Sequence, residues 1–266
     1  MKDFKFKKAY GQNFINDNHI IEKIVKETKI ENNSLVIEIG PGAGVLTKEL
    51  AKYSKYVLAY EIDTRLEDIL DENLADCQNV QIIFDDFLKR DINADILNYQ
   101  YDNLYVVANI PYYITTPIIK KIIDTKLPFI KITLMVQKEV GERFTANVKT
   151  RDYGSISVFL NYYFDIHKLF LVSRNSFTPK PNVDSVVITL CAKNNKLFVN
   201  NEILFFKLIK DAFHFKRKNL RNNLKNYDLV QIEKVLEKYQ MSLSNRAEEL
   251  SLEIFVDLAN SLNEVK

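Results

Sequence analysis

Five short apolar runs, rich in β-branched residues, recur through the first half of the chain: Ser34–Gly40, Tyr56–Glu61, Val80–Phe84, Asp102–Asn109 and Ile130–Gln137. Between them lie amphipathic patterns of helical period, near Val45–Tyr53, over Thr64–Leu74 and after Thr115. Strands so continuously apolar are buried on both faces, and parallel strands need helical crossovers between them. The chain is therefore expected to build an α/β fold around a mostly parallel sheet. The pattern changes after about Thr150. Lys168–Val172 and Ser185–Cys191 read as two further strands, and from Glu202 onward the period is helical to the end. Asn194, Asn195, Asn200 and Asn201 mark a linker. The expected division is an α/β domain over residues 1–192 and a small all-helical domain over residues 193–266.

With 266 residues, 47% of them hydrophobic, the chain can fill a large core. No apolar run is long enough to span a bilayer. The basic start, MKDFKFKKAYGQNF, is followed by no apolar segment with a cleavage site, so no secretory signal is expected. Cys77 and Cys191 form neither a metal pattern nor a disulfide framework, and the cytoplasm is the expected compartment. Cys77, Cys191, His19, His167 and His214 read as structural or surface residues, and Phe205-Phe206 as packing for the helical part. The net charge of +2 hides two basic clusters. One is Lys2, Lys5, Lys7 and Lys8; the other is Lys216, Arg217, Lys218, Arg221 and Lys225, with no acid inside it. Such patches suit a polyanion, although a solvated basic face is the plainer reading of either one alone.

Glycine is scarce, six in all, and three of the six sit at Gly40, Gly42 and Gly44, directly after the first strand. Glycine there permits a tight turn and close approach of backbone to a ligand. Ligands of open α/β sheets bind beyond the carboxyl ends of the strands. Glu61 ends the second strand, where a carboxylate can accept from two ribose hydroxyls. Asp86 follows the third, where one can accept from an adenine amino group. An adenosine-bearing ligand fits this arrangement. The turn and Glu61 alone leave S-adenosylmethionine and a dinucleotide both open, though the spacing is G-x-G-x-G rather than G-x-G-x-x-G. Each acid also has a bland reading, Glu38 as a polar strand end and Asp86 as a helix cap. Asp85 beside Asp86 leaves the choice between them open.

The fourth strand ends in Asn109-Ile110-Pro111-Tyr112. The lone pair of an adenine N6 amine is delocalised into the ring. Two oxygen acceptors on its hydrogens favour the pyramidal, nucleophilic form. The Asn109 side chain can be one acceptor and the Ile110 carbonyl the other. Pro111 fixes φ and brings no competing N–H. Tyr112 can stack on an extruded base. In isolation the same residues also read as a turn before a proline with core-edge aromatics.

Taken in order, these pieces closely resemble the ribosomal RNA adenine N6-dimethyltransferases, in their housekeeping small-subunit branch. The resemblance covers nearly the whole chain. It rests on Gly11–Ile15 (GQNFI), Glu38–Gly44 (EIGPGAG), Tyr60–Asp63 (YEID), Asp86–Leu88 (DFL), Asn109–Tyr112 (NIPY), Phe177–Ser185 (FTPKPNVDS) and Arg246–Leu250 (RAEEL). It implies a Rossmann-like methyltransferase sheet and S-adenosylmethionine as cofactor. Asn13, Ile15, Gly40, Glu61, Asp86 and Asn109 would line the cofactor pocket. Asn109 and Ile110 would position the amine, with Tyr112 and Phe177 as the aromatic pair holding the adenine. Lys216, Arg217, Lys218 and Arg221 would face RNA, making the helical domain the RNA-recognition part.

The implied reaction converts two adjacent adenosines of a small-subunit rRNA hairpin loop to N6,N6-dimethyladenosine on an assembling subunit, by a monomeric enzyme. Two departures stand out. Asp85-Asp86 replaces the usual Gly-Asp, which would stiffen that loop, and Ile15 and Ile110 replace the commoner Leu. The antibiotic-resistance branch, which modifies a large-subunit adenine, is the nearest rival. The RAEEL segment and the Lys216–Arg221 cluster speak against it. DNA adenine methyltransferases typically carry D/N-P-P-Y. A non-catalytic assembly factor would show damaged motifs.

Overall fold

The computed structural model describes residues 13–111 and 114–263. The chain runs β1 (Phe14–Ile15), α1 (Asn18–Thr28), β2 (Ser34–Ile39), α2 (Val45–Ala51), β3 (Tyr56–Glu61), α3 (Glu67–Leu74), β4 (Val80–Phe84), α4 (Ile92–Asp95), β5 (Asn103–Asn109), α5 (Thr115–Asp124) and β6 (Phe129–Gln137). It continues through α6 (Lys138–Phe144), α7 (Ser155–Tyr163), β7 (Phe164–Val172), β8 (Phe177–Thr178) and β9 (Ser185–Ala192). Four helices close it: α8 (Glu202–Ala212), α9 (Leu220–Asn223), α10 (Leu229–Glu237) and α11 (Leu252–Asn263).

Two compact units result. One holds residues up to Gly141 together with His167–Cys191, and the other holds Glu142–Ile166 together with residues from Ala192 on. The helical unit is thus built from two separate stretches rather than from residues 193–266 alone. The reason is packing. Tyr153, Val158 and Tyr162 share a buried core with Phe205, Leu208, Leu236 and Phe255. Two hydrogen bonds reinforce it: Tyr153 Oη donates to the Leu250 carbonyl at 3.1 Å, and Tyr162 Oη to Glu202 at 2.9 Å.

The first unit carries a seven-stranded sheet in the order β4-β3-β2-β5-β6-β9-β7. Strands β4 to β6 in that order are parallel, and β9 runs antiparallel to β6. Every residue of β2 is buried, as expected of a central strand covered on both faces. Helix α1 shows how the cover forms. Asp17 caps it by accepting from the His19 N–H at 3.0 Å, and Ile21, Ile24, Val25 and Thr28 make one buried stripe. Lys29, at φ 53, ends it in the left-handed conformation.

The helical period expected from Glu202 onward is broken. Helix α8 stops at Ala212, and residues 213–219 form a turn before α9. Polar side chains explain the break. Asn219 accepts from the Asn222 N–H at 3.2 Å, and the Asn223 amide takes the Ala212 carbonyl at 2.7 Å, so both compete with a continuing helix.

Gly141 on α6 lies so close to β9 that a Cβ there would sit 2.2 Å from Val186 Cγ1. Gly141→Ala should therefore lower unfolding stability by about 1–3 kcal/mol through overpacking. Combining it with Val186→Ala should cost less than the sum of the single changes in denaturant unfolding. Additive losses would contradict this contact.

Candidate active site

Strand order reverses direction between β2 and β5. The chain leaves β2 towards β3 and β4 on one side, and β5 towards β6 on the other. Such a switch leaves a crevice at the carboxyl ends of the two strands. Ile39 pairs with Ala108 in the ladder, so Gly40 and Asn109 emerge side by side at its mouth. One pocket there is lined by Asn13, Ile15, Gly40, Glu61, Asp86, Asn109, Ile110 and Pro111. Eight residues singled out from sequence thus meet at one place.

The turn after β2 explains its glycines. Gly40, Gly42 and Gly44 have φ of +74, +60 and +80, a region other residues rarely adopt. A Cβ on Gly42 would also lie 2.5 Å from Cε1 of the Phe14 ring. The Glu61 carboxylate clamps the same turn. Its Oε2 accepts from the Gly42 N–H at 3.1 Å and its Oε1 from the Asp63 N–H at 2.9 Å. Burial pushes the Glu61 carboxyl up, and those two backbone N–H groups hold it back.

Glu38 is the acid whose weight the sequence did not reveal. It is 1% exposed in the pocket wall, and among the described residues its Oε2 has no hydrogen-bond partner. Burial pushes its carboxyl up to about 8; nearby Thr47 opposes this and the charge of Glu61 adds to it. Thr47 Oγ1 lies near enough to favour the charged form, yet it too completes no hydrogen bond.

Asp85 and Asp86 separate in role. Asp85 Oδ1 accepts from the Asp86 N–H at 2.7 Å, and its Oδ2 lies 3.5 Å from Arg90 Nη1. Arg90 also pairs with Asp95, which accepts from Tyr60 Oη at 3.0 Å. Asp86 caps the following turn, accepting from the Leu88 N–H at 3.0 Å, with Lys89 at 3.6 Å. Asp86 thus caps a turn rather than the expected helix, and both acids line the pocket.

Asn109 is oriented by an element the sequence pattern did not display. β1 pairs antiparallel with β8, Phe14 opposite Thr178 and Ile15 opposite Phe177. That short ladder brings the Asn13 carbonyl to Asn109 Nδ2 at 2.9 Å. A carbonyl accepts only from the NH2 end of an amide, so the flip is fixed and Oδ1 remains the acceptor. Among the described residues nothing donates to it. Ile110, 1% exposed, anchors the next backbone unit, and Pro111 starts a turn into α5.

Of the other expected site residues, Phe177 does not line the pocket. Phe177 is 3% exposed and sits in the buried cluster with Ile21, Met135 and Val187. Strand alternation turns its ring inward and Thr178 outward. Tyr112 falls outside the described residues. Lys216, Arg217, Lys218 and Arg221 are exposed on the helical unit.

The pocket fits S-adenosylmethionine. Beyond the backbone N–H groups it accepts from, the Glu61 carboxylate has lone-pair capacity left for a hydroxyl. Gly40 leaves open space where a Cβ would stand. Ile62 and Phe87 give apolar walls, and the unpartnered Glu38 oxygen gains from a cation. A family model for ribosomal RNA adenine dimethylase matches residues 3–264. The ribosomal RNA small subunit methyltransferase A of Bacillus thuringiensis (strain Al Hakam) is 42% identical over 97% of this chain and 92% of its own length. Two solved structures share the fold. A dimethyladenosine transferase from Plasmodium falciparum has a TM-score of 0.79 at 28% identity, covering 94% of this chain and 98% of its own. The 23S rRNA methyltransferase ErmE has 0.75 at 25% identity, covering 94% and 100%.

Fold and pocket together define a Rossmann-like, S-adenosylmethionine-dependent methyltransferase. Within that class, the chain belongs to the ribosomal RNA adenine dimethylase family.

The Glu38 carboxyl gives a pH test. Below about 4.5 it is protonated in both states; between about 4.5 and 8 the unfolded chain loses the proton that the folded chain keeps. Stability contributed by this group is therefore lost as pH rises through that window. Glu38→Gln has no such proton, so its melting temperature relative to the parent should climb from pH 5 to pH 8. A constant difference would refute the buried-acid assignment.

Proposed function

We propose that this enzyme converts two adjacent adenosines in a hairpin loop of small-subunit ribosomal RNA to N6,N6-dimethyladenosine, acting as a monomer on the assembling subunit in the cytoplasm. The observation that carries the reading is the locked amide of Asn109, whose oxygen faces no competing donor among the described residues, beside a pocket suited to an adenosine-bearing methyl donor. When bound, S-adenosylmethionine would supply an electrophilic methyl group: its S–CH3 bond would break as the N–C bond forms, S-adenosylhomocysteine would depart as the leaving group, and the proton of the methylated amine would pass to solvent. Asn109 Oδ1 accepts one N–H of the adenine amine and the Ile110 carbonyl the other, drawing the nitrogen lone pair out of the ring. The Asn13 carbonyl holds that acceptor in place, and Pro111 stiffens the segment. Tyr112 stacks on the extruded base. In the second round the amine has a single N–H, so one acceptor serves.

The choice of small-subunit RNA is supported by 42% identity along nearly the full length of a small-subunit relative, against 25% for the large-subunit enzyme ErmE. Lys216, Arg217, Lys218 and Arg221 contact RNA phosphates, which makes the helical unit the recognition part.

Unmodified small and large ribosomal subunits incubated with labelled donor should show methylation at two adjacent small-subunit adenosines. Label in the large subunit would turn the reading to the rival branch. Asn109→Ala should lower turnover about 100-fold or more while subunit binding persists; undiminished methylation would sink the mechanism. Tyr112→Ala should reduce turnover more than donor affinity, as followed by calorimetry beside single-turnover rates.

A further inference from the structure

The turn between α8 and α9 holds an aromatic ring out in water. Two phenylalanines two residues apart take opposite sides. Phe213 packs inward, with Tyr153 and Phe255 at 6.0 and 5.9 Å between ring centroids. Phe215 is 58% exposed, with only the His214 ring, among the described residues, standing edge-on to it at 4.4 Å. An exposed phenylalanine ordinarily relaxes into whatever apolar surface its backbone can reach. This backbone is not free to do so. One side-chain amide grips both of its polar groups: the Phe215 N–H donates to Asn223 Oδ1 at 3.2 Å, and Asn223 Nδ2 donates to the Phe215 carbonyl at 3.2 Å. The same Nδ2 reaches the Ala212 carbonyl at 2.7 Å, and the Lys218 N–H closes onto the Phe215 carbonyl at 2.8 Å.

Charge surrounds the ring. Lys216, Arg217 and Lys218 follow it directly and are exposed, and among the described residues none of the three pairs with an acid. Lys216 is steered by donating to the Arg151 carbonyl. A rigidly presented π-face beside unpaired cations is the arrangement that binds an unpaired nucleotide, the ring stacking on the base while the cations take the phosphates.

We propose that Phe215 is a stacking platform for an unpaired RNA base, with Asn223 as its positioning residue. The proposal rests on the reading of the Lys216–Lys218 turn as RNA-facing. The ligand is single-stranded RNA, because a paired base offers no free face.

The test is equilibrium binding of the full-length protein to a single-stranded oligoribonucleotide and to a duplex of equal length, over a range of salt. Phe215→Ala should weaken single-strand binding by about 5- to 150-fold and leave the duplex nearly unchanged. Its salt slope should match the parent, since no charge is removed. Phe215→Tyr should bind like the parent, and Asn223→Ala should follow Phe215→Ala. The triple variant Lys216→Ala, Arg217→Ala, Lys218→Ala should weaken both RNAs and flatten the slope. Loss in the triple variant with no change in Phe215→Ala overturns the stacking role and leaves the RNA reading standing. No loss in either overturns both. Equal loss on strand and duplex, failure of Tyr to restore, or a lowered melting temperature in Phe215→Ala would each assign the ring to packing instead.

Discussion

The reversal of strand order between β2 and β5 governs the catalytic unit. All five parallel strands end at the same edge, but only at this reversal do the connecting segments depart in opposite directions and leave the edge uncovered. The functional groups sit at or just beyond the strand ends there. The glycine turn follows β2, and Asn109 closes β5. Glu61, from the next strand over, reaches across to hold the turn by the Gly42 N–H. Sequence near these strand ends is therefore constrained twice, by the need to stop a buried strand and by the need to shape a cavity.

Electrostatics follow from that geometry. Glu38 and Glu61 are both buried, and the charge of Glu61 makes Glu38 harder to ionise. Such a pair is unfavourable without a ligand and becomes less so beside a positive charge. The outer rim is treated differently. Arg90 ties down Asp85 and Asp95, and Tyr60 adds its hydroxyl to Asp95, so the acids at that side are neutralised by the protein itself. The extra acid at position 85 is thereby absorbed into an ion-pair network, leaving Asp86 to cap the loop.

Much of this was legible in the sequence. Scarce glycines gathered after an apolar run announced the turn, and Asn109-Ile110-Pro111 announced the end of β5 at the pocket, because each needs special backbone behaviour that few residue types supply. What stayed hidden depends on partners distant in the chain. The two-residue ladder of β1 with β8 is too short to leave a periodic signature, yet it supplies the carbonyl that orients Asn109. The inward turn of Phe177 follows from that same pairing. Glu38 looks like any strand-end acid until its burial and missing partner are seen. The basic stretch after α8 carries helical spacing, and the side chains of Asn219 and Asn223, the latter gripping carbonyls it follows by several residues, convert it to a turn.

The split origin of the helical unit has a consequence for how such a gene can be recombined. Tyr153, Val158 and Tyr162 are encoded far upstream of the helices they support, and the stretch from β8 into β9 lies between. An exchange with a single crossover near residue 193 would transplant α8 to α11 without the side chains that fill their core. The segment behaves as a graft only if its upstream portion travels with it. Lineages that exchange C-terminal pieces are thus expected to inherit residues 142–166 in the same event, and chimaeras that separate the two should melt early.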